Sequence, residues 1–160
     1  SSMPQVLVKE PGARLLIVGE GPYGDTLKEL STSLGLEGSV QFLGRLPHRK
    51  TLESIASSDV FILNSLHEGM PNTLIEAMSV STPIIATDIP GNTTIVRDGE
   101  TALIIPPASR KELLAAILAL LGDGGKGARL AKAAREEVKK YDWPSILKKT
   151  LSCLEEVAKK

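Results

Sequence analysis

The chain has 160 residues, about the length of one ordinary domain, and is long enough to bury a hydrophobic core of its own. Lys plus Arg and Asp plus Glu both number 19, so there is no basic excess of the kind that draws a protein to nucleic acid. The single cysteine, Cys153, excludes an internal disulfide, and no stretch reads as a secretory leader or a membrane span. We therefore expect a soluble cytoplasmic domain that does not bind nucleic acid.

Short runs of branched apolar residues predict strands, and amphipathic stretches between them predict helices. The predicted strands are residues 13–19, 39–44, 59–64, 83–87 and 102–106. The predicted helices are residues 23–35, 49–58, 71–80, 109–121, 128–141 and a C-terminal helix within 141–160, and residues 1–10 read as the stub of another helix. Strands that alternate with helices through short connections are typical of right-handed βαβ units. We predict a Rossmann-like α/β fold, an open parallel sheet with flanking helices, in a single domain over residues 1–160.

The pattern within these elements also predicts how they pack. Apolar strands of a parallel sheet are normally buried on both faces. Leu27, Leu30 and Leu34 recur at helical spacing, so we expect this leucine stripe to cover the sheet. The glycine-rich segment 122–127 predicts a break between two helices.

Near the C-terminus, three residues have predicted packing roles. We expect Tyr141 and Trp143 to pack the terminal helix onto the domain. Cys153 lies on that helix and is predicted to be a small packing residue. Part of the apolar surface of this helix is expected to stay exposed.

Ligands of open parallel sheets bind outside the carboxyl ends of the strands, and the loop 19–24 lies at such an end. Gly19, Gly21 and Gly24 fit the G-x-G-x-x-G pattern of dinucleotide-binding sites. An acid about 20 residues further on should meet the ribose, but the second strand ends in a glycine followed by Arg45. An NAD(P)-binding module, with Arg45 at a 2′-phosphate, therefore remains an alternative.

The helix predicted at residues 71–80 has a start that suits an anion. Pro71 fits the first helical turn, because its missing N–H would have had no partner there. The free N–H groups of Asn72 and Thr73 would then point into the cleft, where a phosphate is the natural guest.

Two acids flank this helix start within the segment 63–78, LNSLHEGMPNTLIEAM. Glu68 precedes the helix, whereas Glu76 lies about one turn inside it, so the two should contact different parts of one extended ligand. A carboxylate accepts two hydrogen bonds side by side, which suits a vicinal diol of a sugar or a ribose. The alternative is structural, with Glu68 as a cap and Glu76 as a solvated helix residue.

An ordered set of motifs resembles the C-terminal, donor-binding domain of retaining family-four glycosyltransferases, whose GT-B fold sets two Rossmann-like domains around a cleft. The motifs are LLIVGEGP (15–22), QFLGRLP (41–47), ASSDVFILNSLHEGMPNTLIEAM (56–78), PIIATDIPG (83–91) and IVRDGETALIIPP (95–107). The most specific element is the pair of glutamates set in E-G-x-P and E-A-M. One departure is Pro90-Gly91-Asn92, where most members of the family have two glycines or a Gly-Ala.

By position, the resemblance implies a role for each matching residue. Glu68 would be the catalytic carboxylate that contacts the hydroxyl groups of the donor sugar, and Glu76 would bind the ribose of the nucleotide. Arg45 and Leu46 would line the nucleobase. The residues implied to surround the donor sugar and its phosphates are Gly19, Gly21, Gly69, Met70, Pro71, Asn72 and Thr73.

The implied activity is transfer of a hexosyl unit, with retention, from a UDP-sugar or GDP-sugar to a glycan or a lipid-linked acceptor. The resemblance implies no cofactor and no metal, and the isolated His48 and His67 are expected to have surface or loop roles. The acceptor domain and a phosphate-binding Arg and Lys of the family would precede this segment, so we expect the fragment alone to be inactive. The full-length enzyme could associate peripherally with the inner face of a membrane. A noncatalytic fragment with an empty cleft is the remaining hypothesis.

Overall fold

A computed structural model of the chain describes residues 1–158, in which helices alternate with short strands. The strands are β1 Leu15–Val18, β2 Val40–Gly44, β3 Phe61–Leu63, β4 Ile84–Thr87 and β5 Leu103–Ile105. The α-helices are α1 Met3–Lys9, α2 Gly24–Ser33, α3 His48–Ala56, α4 Asn72–Ser79, α5 Pro90–Thr93, α6 Arg110–Leu121, α7 Gly124–Glu137 and α8 Trp143–Ala158. A 3₁₀ turn, Val138–Tyr141, joins α7 to α8. All predicted strands are present, and the first ten residues do contain a helix.

The strands form two parallel sheets rather than the one sheet predicted. β1 pairs with β2, and β4 lies between β3 and β5. Helix α6 links the two sheets, because Ile117 packs against the hydrophobic clusters of both. The Rossmann-like α/β class is confirmed. The division between sheets was not predictable, because strand pairing joins residues far apart in sequence and leaves no mark on the apolar pattern of a single strand.

Burial on both faces is found for the central strand only. All four residues of β4 are fully buried. In β1, by contrast, Leu16 and Val18 are 37% and 38% exposed. The predicted role of the leucine stripe is also wrong, since Leu27 and Leu30 of α2 and Leu34, which directly follows α2, are 42–44% exposed. The sheet of β1 and β2 has only two strands, so it offers α2 an apolar face too narrow to bury the helix.

Helix α4 is anchored by one face and leaves the other to the strand ends. Leu74, Ala77 and Met78 are completely buried in the largest hydrophobic cluster, against β4 and α7. Residues three and four apart share one face of a helix, so Asn72 and Glu76 lie together on the opposite side. Packing of α4 therefore fixes the direction of Glu76.

The glycine-rich segment 122–127 does break the two helices, but the break is shorter than predicted and covers only Gly122 and Asp123, since α7 already begins at Gly124. The carboxylate of Asp123 accepts a hydrogen bond from the Lys126 N–H at 2.9 Å and so caps the helix. A Cβ on Gly127 would lie 3.3 Å from Cγ of Pro83. This glycine therefore allows α7 to pack closely against the residue that leads into β4.

The Asp123 cap makes a measurable contribution to stability. Asp123→Ala is expected to lower the free energy of unfolding by about 1 kcal/mol, because a first-turn N–H loses its acceptor. Ser109 caps α6 through a longer contact, 3.5 Å from the Glu112 nitrogen, and Ser109→Ala is the matched comparison with a smaller expected loss. Urea denaturation measures both variants. Equal losses would contradict the assignment of Asp123 as the stronger cap.

Side-chain bonds hold the end of α7 to the segment that follows α5. The Tyr141 hydroxyl donates to the carbonyl of Thr94 at 3.2 Å, which confirms its predicted packing role. Arg97 donates to Glu137 at 3.1 Å across 40 residues of sequence. Hydrogen bonds from Lys140 and Arg97 lower the pKa of the Glu137 carboxyl. These contacts fix the 3₁₀ turn, whereas the side chain of Trp143 lies outside the described part of the structure.

Helix α8 has a largely exposed apolar face, as expected from the sequence. Its exposed large apolar residues are Ile146, Leu147, Leu151, Leu154 and Val157, at 36–67% exposure. Cys153 is also exposed, so its predicted packing role is wrong. The reason is that α8 packs mainly on the 3₁₀ turn and not on either sheet. No helix within residues 1–158 is both long and apolar enough to cross a bilayer.

Candidate functional site

The loops that follow β1 and β2 meet at the carboxyl ends of these strands. The Gly19 N–H donates to the carbonyl of Gly44 at 2.8 Å. Both residues have positive φ, +117° and +62°, which favours glycine at each position. The structure thereby places the loop that contains Gly19 and Gly21 beside the one that contains Arg45 and Leu46. Arg45 is exposed, and Leu46 is half-buried.

The loop after β3 rests directly on the short helix α5. This helix was not predicted from the sequence. A Cβ on Gly91 would lie only 2.3 Å from the carbonyl oxygen of Glu68, a distance that no real structure tolerates. Gly91 is buried, and its φ is not positive, so this position requires a glycine for space alone. The backbone at Glu68 therefore depends on the absence of a side chain at residue 91.

Glu68 lies half-buried at the edge of a cleft. The Ser65 hydroxyl donates to its Oε1 at 2.7 Å. The cleft has a volume of about 400 Å³, which lies within the range of small-molecule sites. Its lining residues are Leu66, His67, Glu68, Ile89 and Pro90. The first of the two predicted acids thus faces a concave surface formed by two loops.

Glu76 contacts a different element. Nδ1 of His48, the first residue of α3, lies 3.4 Å from its Oε1. The Glu76 side chain is 20% exposed and that of His48 is 71% exposed, so the pair lies at the surface. His48 was predicted only to have a surface or loop role, and its contact with Glu76 was not foreseen. The two acids therefore have separate partners, Ser65 for Glu68 and His48 for Glu76.

The start of α4 lies between these acids. Pro71 is the N-cap residue rather than part of the first turn, with an extended ψ of 99°. It has no side chain that can accept the first N–H groups of the helix, and its carbonyl accepts the Leu74 N–H at 3.0 Å. The first N–H groups of α4 therefore belong to Asn72 and Thr73, and Pro71 lies one position earlier than predicted. Gly69 and Met70 are exposed on the preceding loop.

Three polar residues of this region were not predicted as part of the site. Asn92 and Thr87 are fully buried, and Ser65 is half-buried. Their sequence signals were the position of the loops 64–72 and 87–94 after predicted strands, and the departure of Pro90-Gly91-Asn92 from the family pattern. Across residues 1–158, no three His, Cys, Asp or Glu side chains cluster as a metal ion would require.

A second hollow, of about 500 Å³, lies along α8 and far from the strand ends in sequence. It is lined by Ser145, Lys148, Lys149, Ser152 and Cys153. All of these residues belong to one exposed helix, so no polar groups converge there from different elements. The cleft beside Glu68 is the better candidate for a binding site.

Several curated relatives of this chain are named as glycosyltransferases. A sulfoquinovosyl transferase of Arabidopsis thaliana is 32% identical over 144 residues, which make up 88% of this chain and 28% of that protein. A phosphatidyl-myo-inositol mannosyltransferase of Mycobacterium leprae is 30% identical over 158 residues, 98% of this chain and 41% of that protein. The chain thus spans less than half the length of these relatives.

Solved structures give the same result. Sucrose-phosphate synthase from Thermosynechococcus elongatus superimposes with a TM-score of 0.84 at 26% identity, over 98% of this chain and 41% of that one. Anabaena HepE in complex with UDP-glucose superimposes with a TM-score of 0.80 at 27% identity, over 91% of this chain and 42% of that one. The resemblance to GT-B glycosyltransferases is confirmed. The family model of the glycosyl transferases group 1 matches residues 1–137 of the 160, and the chain therefore belongs to that family.

Proposed function

We propose that this chain is the donor-binding domain of a retaining hexosyltransferase that moves a sugar from a UDP-sugar or GDP-sugar to a glycan or lipid-linked acceptor. The observation that carries the proposal is the arrangement of the two acids at the carboxyl ends of parallel strands. Glu68 faces the cleft with Ser65, whereas Glu76 lies inside α4 and faces His48. One extended ligand with a polar group at each end fits this separation.

Glu68 is assigned to the hydroxyl groups of the donor sugar, and Glu76 to those of the ribose. Both side chains are only partly exposed, so few water molecules compete with a bound diol for hydrogen bonds to the two carboxylates. Membership of the glycosyl transferases group 1 family favours a nucleotide-sugar, rather than NAD(P), as the ligand of the loop that contains Gly19 and Gly21. Arg45 and Leu46 extend the site beyond Glu76 toward the nucleobase.

The diphosphate is assigned to the space between the acids. The first N–H groups of α4, at Asn72 and Thr73, have no capping side chain at Pro71, and the positive end of the helix dipole lies there. The backbone of Gly69 and Met70 completes one wall. The opposite wall is assigned to the loop of Gly19 and Gly21, and no metal ion or cofactor is part of the proposal.

The proposed reaction breaks the bond between the anomeric carbon and the diphosphate oxygen. The acceptor oxygen bonds to the same face of that carbon, and its proton passes to the departing diphosphate, so configuration is retained. The residues named above hold the sugar in place and stabilise the charge that develops on the leaving group. Glu68 acts at the sugar and not as the general acid of a hydrolase, which would protonate the leaving oxygen.

Acceptor recognition is assigned to the rest of a longer protein. The chain spans 28% and 41% of the two relatives described above, so the complete activity needs more than these residues. The name of the mycobacterial relative supports a lipid acceptor, and the UDP-glucose bound to Anabaena HepE supports a nucleotide-sugar donor. We place the enzyme in the cytoplasm, at the inner face of the membrane when its acceptor is a lipid.

Calorimetric titration with UDP, GDP, UDP-glucose, GDP-mannose and NADPH tests the proposal. We expect one nucleotide family to bind, and Glu76→Ala to weaken that binding about tenfold or more, because a charge-assisted hydrogen bond to the ribose is lost. Glu29→Ala, on the exposed side of α2, is the control and should bind as the wild type does.

Two outcomes would contradict this site. Equal affinity of Glu76→Ala and wild type for the nucleotide would remove Glu76 from the ribose position. Binding of NADPH together with no binding of either nucleotide family would favour the dinucleotide alternative at Gly19, Gly21 and Gly24.

A further inference from the structure

A line of polar side chains connects the buried core to the carboxylate of Glu68. Nδ2 of Asn92 donates to Oγ1 of Thr87 at 3.1 Å and to its carbonyl at 2.9 Å. The Thr87 hydroxyl donates in turn to the carbonyl of Ser65 at 2.6 Å. The Ser65 hydroxyl then donates to Oε1 of Glu68 at 2.7 Å. Asn92 and Thr87 from one segment are thus linked through Ser65 of a distant segment to one acid.

The direction of these bonds is fixed by chemistry. A side-chain amide nitrogen only donates and a carbonyl oxygen only accepts, so the Thr87 hydroxyl must accept from Asn92 and donate to Ser65. Because Asn92 and Thr87 are fully buried, neither can exchange its partner for bulk water. The carbonyl of Ser65, which follows β3, is therefore held against Thr87 at the end of β4.

The orientation of Asn92 supports a role for its donor group. Its Oδ1 is buried and has no hydrogen-bond partner among the described residues. A buried oxygen without a hydrogen-bond partner destabilises a fold. The two hydrogen bonds that Nδ2 donates are the reason to keep an amide at this position. Reversing the amide would set Oδ1 against the Thr87 carbonyl, and two acceptors repel each other.

From these contacts we propose that Asn92, Thr87 and Ser65 are positioning residues that hold the Glu68 carboxylate in the orientation that binds the donor sugar. The inference rests on the proposed function of Glu68. It also explains why glycine and asparagine occupy positions 91 and 92. Gly91 leaves room for the Glu68 backbone, and Asn92 fixes the Glu68 side chain through two intermediates.

The first test separates sugar binding from nucleotide binding. Ser65→Ala and Thr87→Val should each weaken the nucleotide-sugar that the wild type binds by about tenfold, because Glu68 loses its orientation. The matching free nucleotide does not reach Glu68, so its affinity should change less than about twofold. Thr87→Ser keeps the hydroxyl and should restore binding, and Ser33→Ala on exposed α2 is the control.

A double-mutant cycle decides whether Ser65 acts through Glu68. In the Glu68→Ala background, Ser65→Ala should have no further effect on affinity for the nucleotide-sugar, since contacting residues that act as a unit are not additive. Additive losses would overturn the proposal. So would equal losses for nucleotide and nucleotide-sugar, or a Thr87→Ser variant that behaves like Thr87→Val.

A measurement without ligand keeps this inference separate from the proposed function. The NMR order parameters of the backbone amides of residues 66–70 should fall toward about 0.6 in Ser65→Ala, while those of α4 and β4 stay at the wild-type values. Unchanged order parameters in residues 66–70 would overturn the positioning role. If wild type binds no nucleotide-sugar but these order parameters fall as expected, the proposed function fails and the hydrogen-bond chain stands.

Discussion

Gly91→Ala is expected to lower the free energy of unfolding by about 1–3 kcal/mol. It is also expected to abolish the difference in affinity between a nucleotide-sugar and its free nucleotide. The new Cβ would stand 2.3 Å from the Glu68 carbonyl oxygen and 2.9 Å from the Glu68 Cβ. The first of these contacts is with backbone, so no rotation of a flexible side chain relieves it. Either α5 or the loop after β3 must move, and both movements displace Glu68.

Gly38→Ala is the matched control, because nothing lies within 4 Å of a Cβ at that turn. We expect its free energy of unfolding to stay within about 0.5 kcal/mol of the wild type. Urea denaturation measures stability, and titration with a nucleotide-sugar and its free nucleotide measures the loss at the sugar. A Gly91→Ala variant with wild-type stability and affinity would show that the loop adapts without moving Glu68.

Leu74→Ala is expected to lower the free energy of unfolding by about 3–5 kcal/mol, the range for a leucine removed from a core that cannot collapse. Leu74 has no exposed surface and packs in the cluster beneath α4. A loss of this size is a large fraction of the stability of a small domain, so part of the population should unfold at 25 °C. Because α4 carries Glu76 and the assigned phosphate site, nucleotide affinity should fall together with stability.

Leu27→Ala provides the comparison, since Leu27 is also a helical leucine but is 43% exposed on α2. We expect a loss of about 1 kcal/mol or less at this position, because little apolar surface is removed from contact. Chemical denaturation of both variants decides the matter. Similar losses at residues 27 and 74 would mean that α2 contributes to the core as the sequence pattern predicted.

The strands and most helices were predictable because their signals are local. Branched apolar runs bounded by Gly, Pro or Asn marked each strand, and apolar residues three and four apart marked α3, α4 and α6. The start of α7 was missed because glycines usually interrupt helices, whereas here the Asp123 cap and the close approach of Gly127 to Pro83 support one. The prediction that the leucine stripe covers the sheet failed because periodicity shows which face of a helix is apolar, but not whether another element packs on that face.

Part of the candidate site followed from sequence for a related reason. The carboxyl ends of parallel strands meet at one edge of a sheet, so Glu68 and the start of α4 could be placed there before any coordinates. Their separate partners could not. His48 reaches Glu76 because α3 packs against α4, and Ser65 reaches Glu68 within a loop that carries no periodic signal.

The sequence alone determined the α/β class, the alternation of elements, the group of enzymes that the chain resembles and the two acids on which the proposed site rests. These depend on residue type and on spacing within a few turns or strands. The tertiary structure alone decided that the strands form two sheets, that residue 91 must be a glycine and that Asn92 is connected to Glu68. Each of these is a contact between segments distant in sequence, and steric exclusion and hydrogen bonding act only once folding has brought such segments together.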